Sequence, residues 1–265
     1  MKIKQIVSAL ERFAPLPLQD GFDNAGLQIG LTEAEATGAL LCLDVTEAVL
    51  DEAIALGYNL VISHHPLIFK GYKSITGKDY VARCILKAIK NDIVIYSAHT
   101  NLDNAYGGVN YKIAEKIGLK NLQVLEPKEN SLQDDLTQAG AGIVGELDEP
   151  ETELEFLKRI KKTFEVGCVR HNRLTGREIQ KVALCGGAGA FLLPQAIRAG
   201  ADVFITGEIK YHDYFGHEGD ILMAEIGHYE SEQYTKEIFY SIIRDLFPNF
   251  ALQSSKITTN PIKYL

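Results

Sequence analysis

Short apolar runs alternate with helical patterns of apolar residues along most of the chain. Strands are predicted at residues 39–45, 60–63, 93–96, 181–184, 203–206 and 221–226, and helices at residues 1–13, 81–89, 109–117, 153–164, 191–199 and 231–246. A further helix is predicted between Thr46, whose hydroxyl can cap its first turn, and Gly57, which can end it. This alternation is typical of α/β proteins with mainly parallel sheets.

The second half of the chain repeats the pattern of the first half at an offset of 143 residues. The matched pairs are Cys42 and Cys185, Leu50 and Leu193, Ala53 and Ala196, Ile54 and Ile197, Gly57 and Gly200, and Ile62 and Ile205. Chance is the alternative, because any two strand–helix–strand units share small residues and glycine stops. We interpret the match as a duplication that gives two similar α/β/α lobes with a cleft between them. The predicted lobes are residues 1–125 and 126–265, with a connector and return segment at about 126–180.

Composition narrows the class of protein. The 265 residues include 27 Lys and Arg against 35 Asp and Glu, a net charge of −8, which argues against broad affinity for nucleic-acid backbone or anionic lipid. No apolar run reaches the roughly 20 residues that cross a bilayer, and no secretory signal is recognisable. The four cysteines form no C-x-x-C pair, so a cysteine zinc knuckle is not indicated. We expect a soluble, cytoplasmic protein with reduced thiols.

Histidines and carboxylates follow the predicted strands, where α/β sheets place their ligand crevices. His64 and His65 come directly after one strand and precede Pro66, which restricts His65 to extended backbone. Both imidazoles could bind a transition metal, or one could be a buried, hydrogen-bonded core histidine and the other exposed.

Two further clusters share the spacing of a histidine followed four residues later by a carboxylate. His99 and Asp103 follow the strand at 93–96, and His228 and Glu232 follow the strand at 221–226. Residues four apart lie on one side of a helix, so His228 and Glu232 could bind one cation. Asp103 could instead cap the helix at 109–117, and the two roles do not exclude each other.

Imidazoles and carboxylates without thiolates are typical of catalytic metal sites. The candidate ligands are His64, His65, Asp103, His228 and Glu232, with His99 as a sixth. This set is too large for one tetrahedral ion with an open position, but it suits two ions about 3.5–4 Å apart that share a carboxylate and an acidified water. Asp103 is the natural bridging ligand in that arrangement.

Several sequence motifs together resemble the Nif-three-like dinuclear metal-centre family, whose members are usually labelled "GTP cyclohydrolase I type 2 homologue". They are F-D-N-A-G-L-Q-I-G (22–30), V-I-S-H-H-P-L-I-F (61–69), A-H-T-N-L-D (98–103), D-V-F-I-T-G-E-I-K-Y-H-D (202–213) and G-H-Y-E-S-E-Q (227–233). The resemblance spans nearly the whole chain and implies the short form, without the domain that longer relatives insert between their halves. It implies a two-lobed protein, a metal pair in the cleft and a toroidal homohexamer.

The resemblance also implies site residues and a function. The family's metal pattern maps onto His64, His65, Asp103, His228 and Glu232, with His99 beside them, while Asp23 and Asn24 line the pocket. Two divalent ions are expected, and nitrogen and oxygen ligands admit Zn, Fe, Mn, Co or Ni. The implied activity is metal-dependent hydrolysis of a small molecule, GTP cyclohydrolase-like. The alternatives are a nucleotide phosphohydrolase with the same metal pair and a non-enzymatic, metal-binding or regulatory hexamer.

Two other features lie near the predicted site. Glu208 and His212 follow the strand at 203–206, and we expect them to orient ligands or transfer protons, although surface or interface roles are the alternative. The glycine-rich segment at 186–190 opens a helix as a phosphate-binding loop would, but it lacks both the dinucleotide fingerprint and a P-loop lysine. A tight or ligand-facing turn is the favoured interpretation.

Overall fold

The computed structural model describes residues 1–128 and 139–265, which form two compact units. One unit comprises Met1–Leu102 and Thr235–Pro261, and the other comprises Asp103–Tyr234 and Ile262–Leu265. The helices are α1 (Ile3–Phe13), α2 (Glu47–Leu56), α3 (Tyr80–Lys90), α4 (Thr100–Asn104), α5 (Val109–Ile117), α6 (Glu153–Thr163), α7 (Leu193–Arg198), α8 (His228–Glu232) and α9 (Thr235–Leu246). The strands are β1 (Gly26–Ile29), β2 (Ala39–Cys42), β3 (Leu60–Ser63), β4 (Val94–Ser97), β5 (Lys120–Pro127), β6 (Gly140–Thr152), β7 (Arg170–His171), β8 (Glu178–Cys185), β9 (Val203–Thr206), β10 (Leu222–Glu225) and β11 (Leu252–Ser254).

The first unit is built on a five-stranded sheet with the order β1-β4-β3-β2-β11. All pairings are parallel except that of β1 with β4. Strands β2, β3 and β4 are buried at every position, because helices cover both faces of the sheet. On one face, Leu40, Val61 and Ile95 pack with apolar residues of α2 and α3.

The second unit is built on a six-stranded sheet with the order β5-β6-β8-β9-β10-β7. Its central strands β8, β9 and β10 are parallel, and β5, β6 and β7 add antiparallel pairings at the outer positions. Helices α5 and α6 contact β6 and β8, while Leu193 and Ala196 of α7 pack against Phe204. The fold is therefore the predicted α/β class with two sheets.

Strand register supports the interpretation that the halves are duplicated. In the first sheet Ala39 pairs with Leu60 and Cys42 with Ser63, and in the second Val182 pairs with Val203 and Cys185 with Thr206. Each residue of the second pair lies 143 positions after its counterpart in the first, so both ladders share one register. Because a one-residue slip would exchange the buried faces, a shared register is a strong structural likeness.

The structure confirms most predicted elements and corrects one. Thr46 accepts a hydrogen bond from the Val49 amide at 3.3 Å, and Gly57 ends α2 with a φ of 70°. The single long helix predicted at 231–246 is wrong, because the chain forms two helices, α8 and α9, that are separated at residues 233–234. Side-chain hydrogen bonds hold this break: the Gln233 amide donates to the Phe164 carbonyl and the Tyr234 hydroxyl to the Thr163 carbonyl.

The polar stretch at 119–140 follows α5, and its described part forms β5 and the start of β6. Residues 129–138 of that stretch lie outside the described residues. Strands β6 and β7 and helix α6 lie in the predicted connector and return segment, and the division at residue 125 stays a prediction. Within the described parts of the chain, no helix is long and apolar enough to cross a membrane.

Candidate metal-binding clusters

The end of β3 places His64 and His65 at the carboxyl edge of the first sheet. The His64 and His65 amides both donate to the Leu43 carbonyl, at 3.1 and 3.0 Å, so the chain follows β2 beyond the last paired strand residue. His64 is fully buried, whereas His65 is partly exposed. The alternative of one buried and one exposed histidine does not describe His65, whose side chain is only partly exposed, and metal binding by both imidazoles stays a prediction.

His99, the sixth candidate ligand, lies close to these two histidines. The ring centroids of the three imidazoles lie 4.9 to 5.4 Å apart. One ring nitrogen from each lies within 4.8 Å of the others, a spacing compatible with a shared cation. The first unit therefore contains a three-histidine cluster, His64–His65–His99.

Each imidazole of the three-histidine cluster is held through its Nδ1 atom. His64 Nδ1 lies 2.9 Å from the Ala98 carbonyl, which can only accept, so Nδ1 carries the proton and Nε2 keeps a lone pair that could bind a metal ion. His65 Nδ1 lies 2.7 Å from an oxygen of Asp44, and His99 Nδ1 lies 2.7 Å from an oxygen of Asp23. Oxygen acceptors in this position are typical of metal-ligating histidines, since they set the tautomer and the ring orientation.

Hydrogen bonds lower the pKa values of Asp23 and Asp44. Burial alone would raise the pKa of Asp23, but hydrogen bonds from His99 and Thr100 outweigh it and lower the pKa to about 2. Burial also opposes ionisation of Asp44, and hydrogen bonds from His65 and Thr259 lower its pKa in the same way. Both carboxylates are therefore ionised at neutral pH and can support imidazoles that donate electron density to a cation.

The second unit brings together His228 and Glu232, as the four-residue spacing predicted. His228 Nε2 lies 3.1 Å from an oxygen of Glu232, whose side chain is only 4% exposed. The Nδ1 atom of His228 lies 2.8 Å from an oxygen of Glu208, so Glu208 orients His228 as Asp23 and Asp44 orient the other imidazoles. This contact supports the orienting role expected for Glu208.

Asp103 lies in the same unit, close to Glu232. One carboxylate oxygen of each residue lies within 4.8 Å of the other. The alternative role of Asp103 as cap of α5 is wrong, because Gly108 occupies the N-cap position and Asp103 lies inside α4. Its carbonyl accepts a hydrogen bond from Asn110, which fixes the backbone of Asp103 against the start of α5. Asp103, His228 and Glu232 thus form the acidic cluster of the second unit.

Gly187 of the glycine-rich segment packs directly against the acidic cluster. A Cβ atom at Gly187 would lie 2.3 Å from Glu232 Oε1, and the residue has a φ of 59°. Its amide donates to the Ser231 hydroxyl at 3.0 Å, and its carbonyl accepts from the Glu208 amide at 3.1 Å. The segment is therefore the tight, site-facing turn that was favoured over a phosphate-binding loop.

A cavity of about 550 Å³ adjoins the acidic cluster through Glu208. Lys210, His212 and Phe215 line it together with Glu208. Glu208 and His212 therefore share this cavity, although they do not lie on one helix, because only residues Tyr211–Tyr214 form a short 3-10 turn. His212 is exposed and lies beside Tyr211, with a centroid separation of 5.2 Å.

The sequence did not predict the two aspartates that contact the three-histidine cluster in these roles. Asp44 follows β2 at the same sheet edge where His64 and His65 follow β3, and this position was the available signal. Asp23 was expected only to line the pocket, whereas it contacts His99 directly. Asp23 and His99 are 76 residues apart in the sequence, so no spacing pattern could predict their contact.

The described donors fit transition-metal ions. The three-histidine cluster offers three oriented nitrogens, the ligand set of an open catalytic zinc-type site. In the acidic cluster Glu232 lies close both to Asp103 and to His228, and such carboxylate and nitrogen donors suit the same group of metals.

Comparison with known proteins gives a consistent result. Residues 1–261 match the family model described as "Duf34/NIF3 (NGG1p interacting factor 3)". A Clostridium perfringens protein named "GTP cyclohydrolase 1 type 2 homolog" is 37% identical over 235 residues, 88% of this chain and 87% of that protein. The crystal structure of a Staphylococcus aureus hypothetical protein has a TM-score of 0.91 at 31% identity, covering 100% of this chain and 99% of that one. A Bacillus cereus protein described as related to NIF3 has a TM-score of 0.89 at 26% identity, covering 100% and 99% of the two chains.

Proposed function

Since the chain belongs to the Duf34/NIF3 family, we propose that it binds two divalent metal ions and hydrolyses a small molecule. The proposed ligands are His64, His65, His99, Asp103, His228 and Glu232. The proposal extends to a toroidal homohexamer in the cytoplasm. The four free cysteines, three of them buried, support a reducing compartment.

The observation that carries the proposal is the common support of four imidazoles. His64, His65, His99 and His228 each have Nδ1 within 2.9 Å of an oxygen acceptor. A histidine in a protein core also makes a hydrogen bond, so one such contact alone would not indicate a metal site. Here four histidines share the same Nδ1 contact and have ligand-type atoms of other residues near the ring, and this common arrangement favours metal binding.

The side chains of this chain divide the work of binding and proton transfer. When bound, divalent ions supply Lewis-acid polarisation and an acidified water. Asp23, Asp44 and Glu208 keep the imidazoles in the tautomer that presents Nε2. Glu208 also faces the cavity with a side chain 60% exposed, so it can accept a proton from a substrate there. His212 lines the same cavity, where its imidazole can exchange a proton with a substrate.

A nucleotide is the proposed substrate class. The names of the relatives point to GTP, and the reaction would add water at C8 of the purine and open its five-membered ring. The cavity of about 550 Å³ lies within the roughly 300–1,000 Å³ of small-molecule sites. Lys210 and His212 can face phosphate groups, while Phe191 and Phe215 offer exposed aromatic surface to a base.

A phosphohydrolase that uses the same ions is the second candidate. Lys210, His212 and His217 line one cavity together with the carboxylates of Glu208 and Asp213, and the three basic side chains are the groups that would bind a phosphate ester there. The products distinguish the two activities, because a cyclohydrolase leaves the phosphates attached to the ribose and a phosphohydrolase releases them.

The experiment is a turnover assay of metal-loaded protein with GTP and a panel of phosphoesters. We expect metal-dependent turnover in the wild type and its loss in Asp103→Ala with the circular dichroism spectrum unchanged. Asp51→Ala is the matched control, since Asp51 makes a surface ion pair with Lys87. Absence of metal-dependent turnover for every compound would contradict the hydrolase proposal and favour a metal-binding or regulatory hexamer. Light scattering after size exclusion tests the hexamer.

A further inference from the structure

The second unit contains another cavity, of about 540 Å³, that none of the proposed metal ligands lines. Its lining includes Arg170, Arg173, Tyr211, Phe215 and Glu218. We propose that this cavity, the arginine–tyrosine pocket, binds a planar aromatic ligand with an anionic group, of the nucleoside monophosphate class.

One wall of the arginine–tyrosine pocket is rigid because the Glu225 carboxylate ties three groups together. It accepts hydrogen bonds from Arg170 at 2.7 Å, from the Tyr214 hydroxyl at 3.1 Å and from the Ile209 amide at 3.2 Å. The Arg170 guanidinium also lies over the Tyr214 ring, 5.8 Å from its centroid. Arg170 is thus neutralised and forms part of the wall.

Arg173 extends from an anchored edge and is available for a ligand. The preceding residue, Asn172, donates to the Ile221 carbonyl at 3.0 Å and accepts from the Met223 amide at 2.9 Å, which fixes this segment beside β10. Arg173 is exposed, and within residues 1–128 and 139–265 it makes no hydrogen bond or ion pair. A guanidinium in this state can bind a phosphate bidentately.

Two exposed aromatic rings also line the pocket. Tyr211 is 68% exposed and Phe215 is 56% exposed, and their rings meet edge to face at 5.3 Å. Exposed aromatic faces beside an arginine are typical of sites that stack bases, because every base offers a π-face.

Glu218 completes the match to a nucleobase. The Gly216 amide donates to its carboxylate at 3.1 Å, which fixes an acceptor group in the lining of the pocket. An exocyclic amino group of a base can donate to such a carboxylate, whereas a second phosphate would be repelled by it. An amino-bearing base and a single phosphate therefore suit the pocket better than a triphosphate.

The test is calorimetric titration of chelator-treated protein with GMP, guanosine and inorganic phosphate. Removal of metal prevents metal-dependent hydrolysis, and the variants below distinguish this pocket from the cavity proposed for the substrate. We expect saturable binding of one GMP per chain, with guanosine and phosphate each at least tenfold weaker. Equal affinity for phosphate and GMP, or no saturable binding of GMP, would overturn the proposal.

Variants locate the bound nucleotide. Arg173→Ala and Tyr211→Ala should each weaken GMP binding at least tenfold, while Tyr211→Phe keeps the ring and should bind normally. Both residues are exposed, so an unchanged thermal midpoint is expected, and Arg173→Lys should bind more weakly than wild type because an ammonium cannot form the bidentate contact. Lys210→Ala, in the neighbouring cavity, distinguishes the two sites, and Arg198→Ala is the matched control because Arg198 is exposed and lines neither cavity. Loss of GMP binding in Lys210→Ala but not in Arg173→Ala would contradict the assignment.

Discussion

Gly187→Ala is the substitution that tests the packing of the acidic cluster most directly. A Cβ atom at this position would lie 2.3 Å from Glu232 Oε1 and 3.4 Å from His228 Nε2. Because the crowded atom is the end of a side chain, the protein can accommodate alanine only by moving the Glu232 carboxylate. The displaced group is a proposed metal ligand, so we expect lost metal affinity.

The magnitude has two parts. The φ of 59° at Gly187 is left-handed, and alanine in that region costs about 1–2 kcal/mol. The added Cβ atom would lie 2.3 Å from Glu232 Oε1, so this oxygen must move away by about 0.7 Å to reach a separation of 3.0 Å from the Cβ atom. Metal–ligand distances tolerate only about 0.2 Å, so the metal affinity should fall at least tenfold.

Gly200→Ala separates these two parts. Gly200 has a φ of 69°, and a Cβ atom there would meet no other heavy atom within 4 Å. Thermal unfolding should therefore show a similar loss of stability in both metal-free variants, about 2–8 °C in midpoint for 1–2 kcal/mol. Chelator competition should show weakened metal binding only in Gly187→Ala. Equal metal affinity in the two variants would refute the reasoning.

Two further predictions concern the aspartates behind the three-histidine cluster. Asp44→Asn leaves an amide beside His65 and should lower metal affinity about 10- to 100-fold in a chelator competition, whereas Asp51→Asn should not. Asp23 has a pKa lowered to about 2 despite burial, because His99 and Thr100 donate to it, so its ionised form stabilises the fold above about pH 4. That stability should be lost as the pH falls from about 4 to 2, by about 1–2 kcal/mol after solvent screening is allowed for. Urea unfolding of metal-free Asp23→Asn should lack this pH dependence; an unchanged dependence would contradict the assignment.

The regular part of the fold could be predicted because local signals agreed with tertiary structure. Helix α2 begins after Thr46 and ends at Gly57, as expected. The offset of 143 residues matches the register of both parallel ladders. The break between α8 and α9 could not be predicted, because neither Gly nor Pro marks it. It depends on hydrogen bonds from Gln233 and Tyr234 to carbonyls about 70 residues earlier in the chain.

The candidate site shows the same division between local and distant signals. His228 and Glu232 meet because four-residue spacing on a helix is local, and the structure gives 3.1 Å between them. The support of His65 by Asp44 was missed, since two residues at the ends of neighbouring strands are brought together only by sheet pairing. Edge strand β1 was missed as well, because its short run is half exposed and contains glycine.

The measurement that tests the central claim most directly is the metal content of chelator-free protein by elemental analysis, for wild type, His64→Ala and Glu232→Ala. Two divalent ions per chain are predicted for the wild type. Each variant should lose metal, because His64 belongs to the three-histidine cluster and Glu232 to the acidic cluster. A wild-type content near zero after reloading with Zn, Fe, Mn, Co and Ni in turn would contradict the account, as would full metal content in both variants.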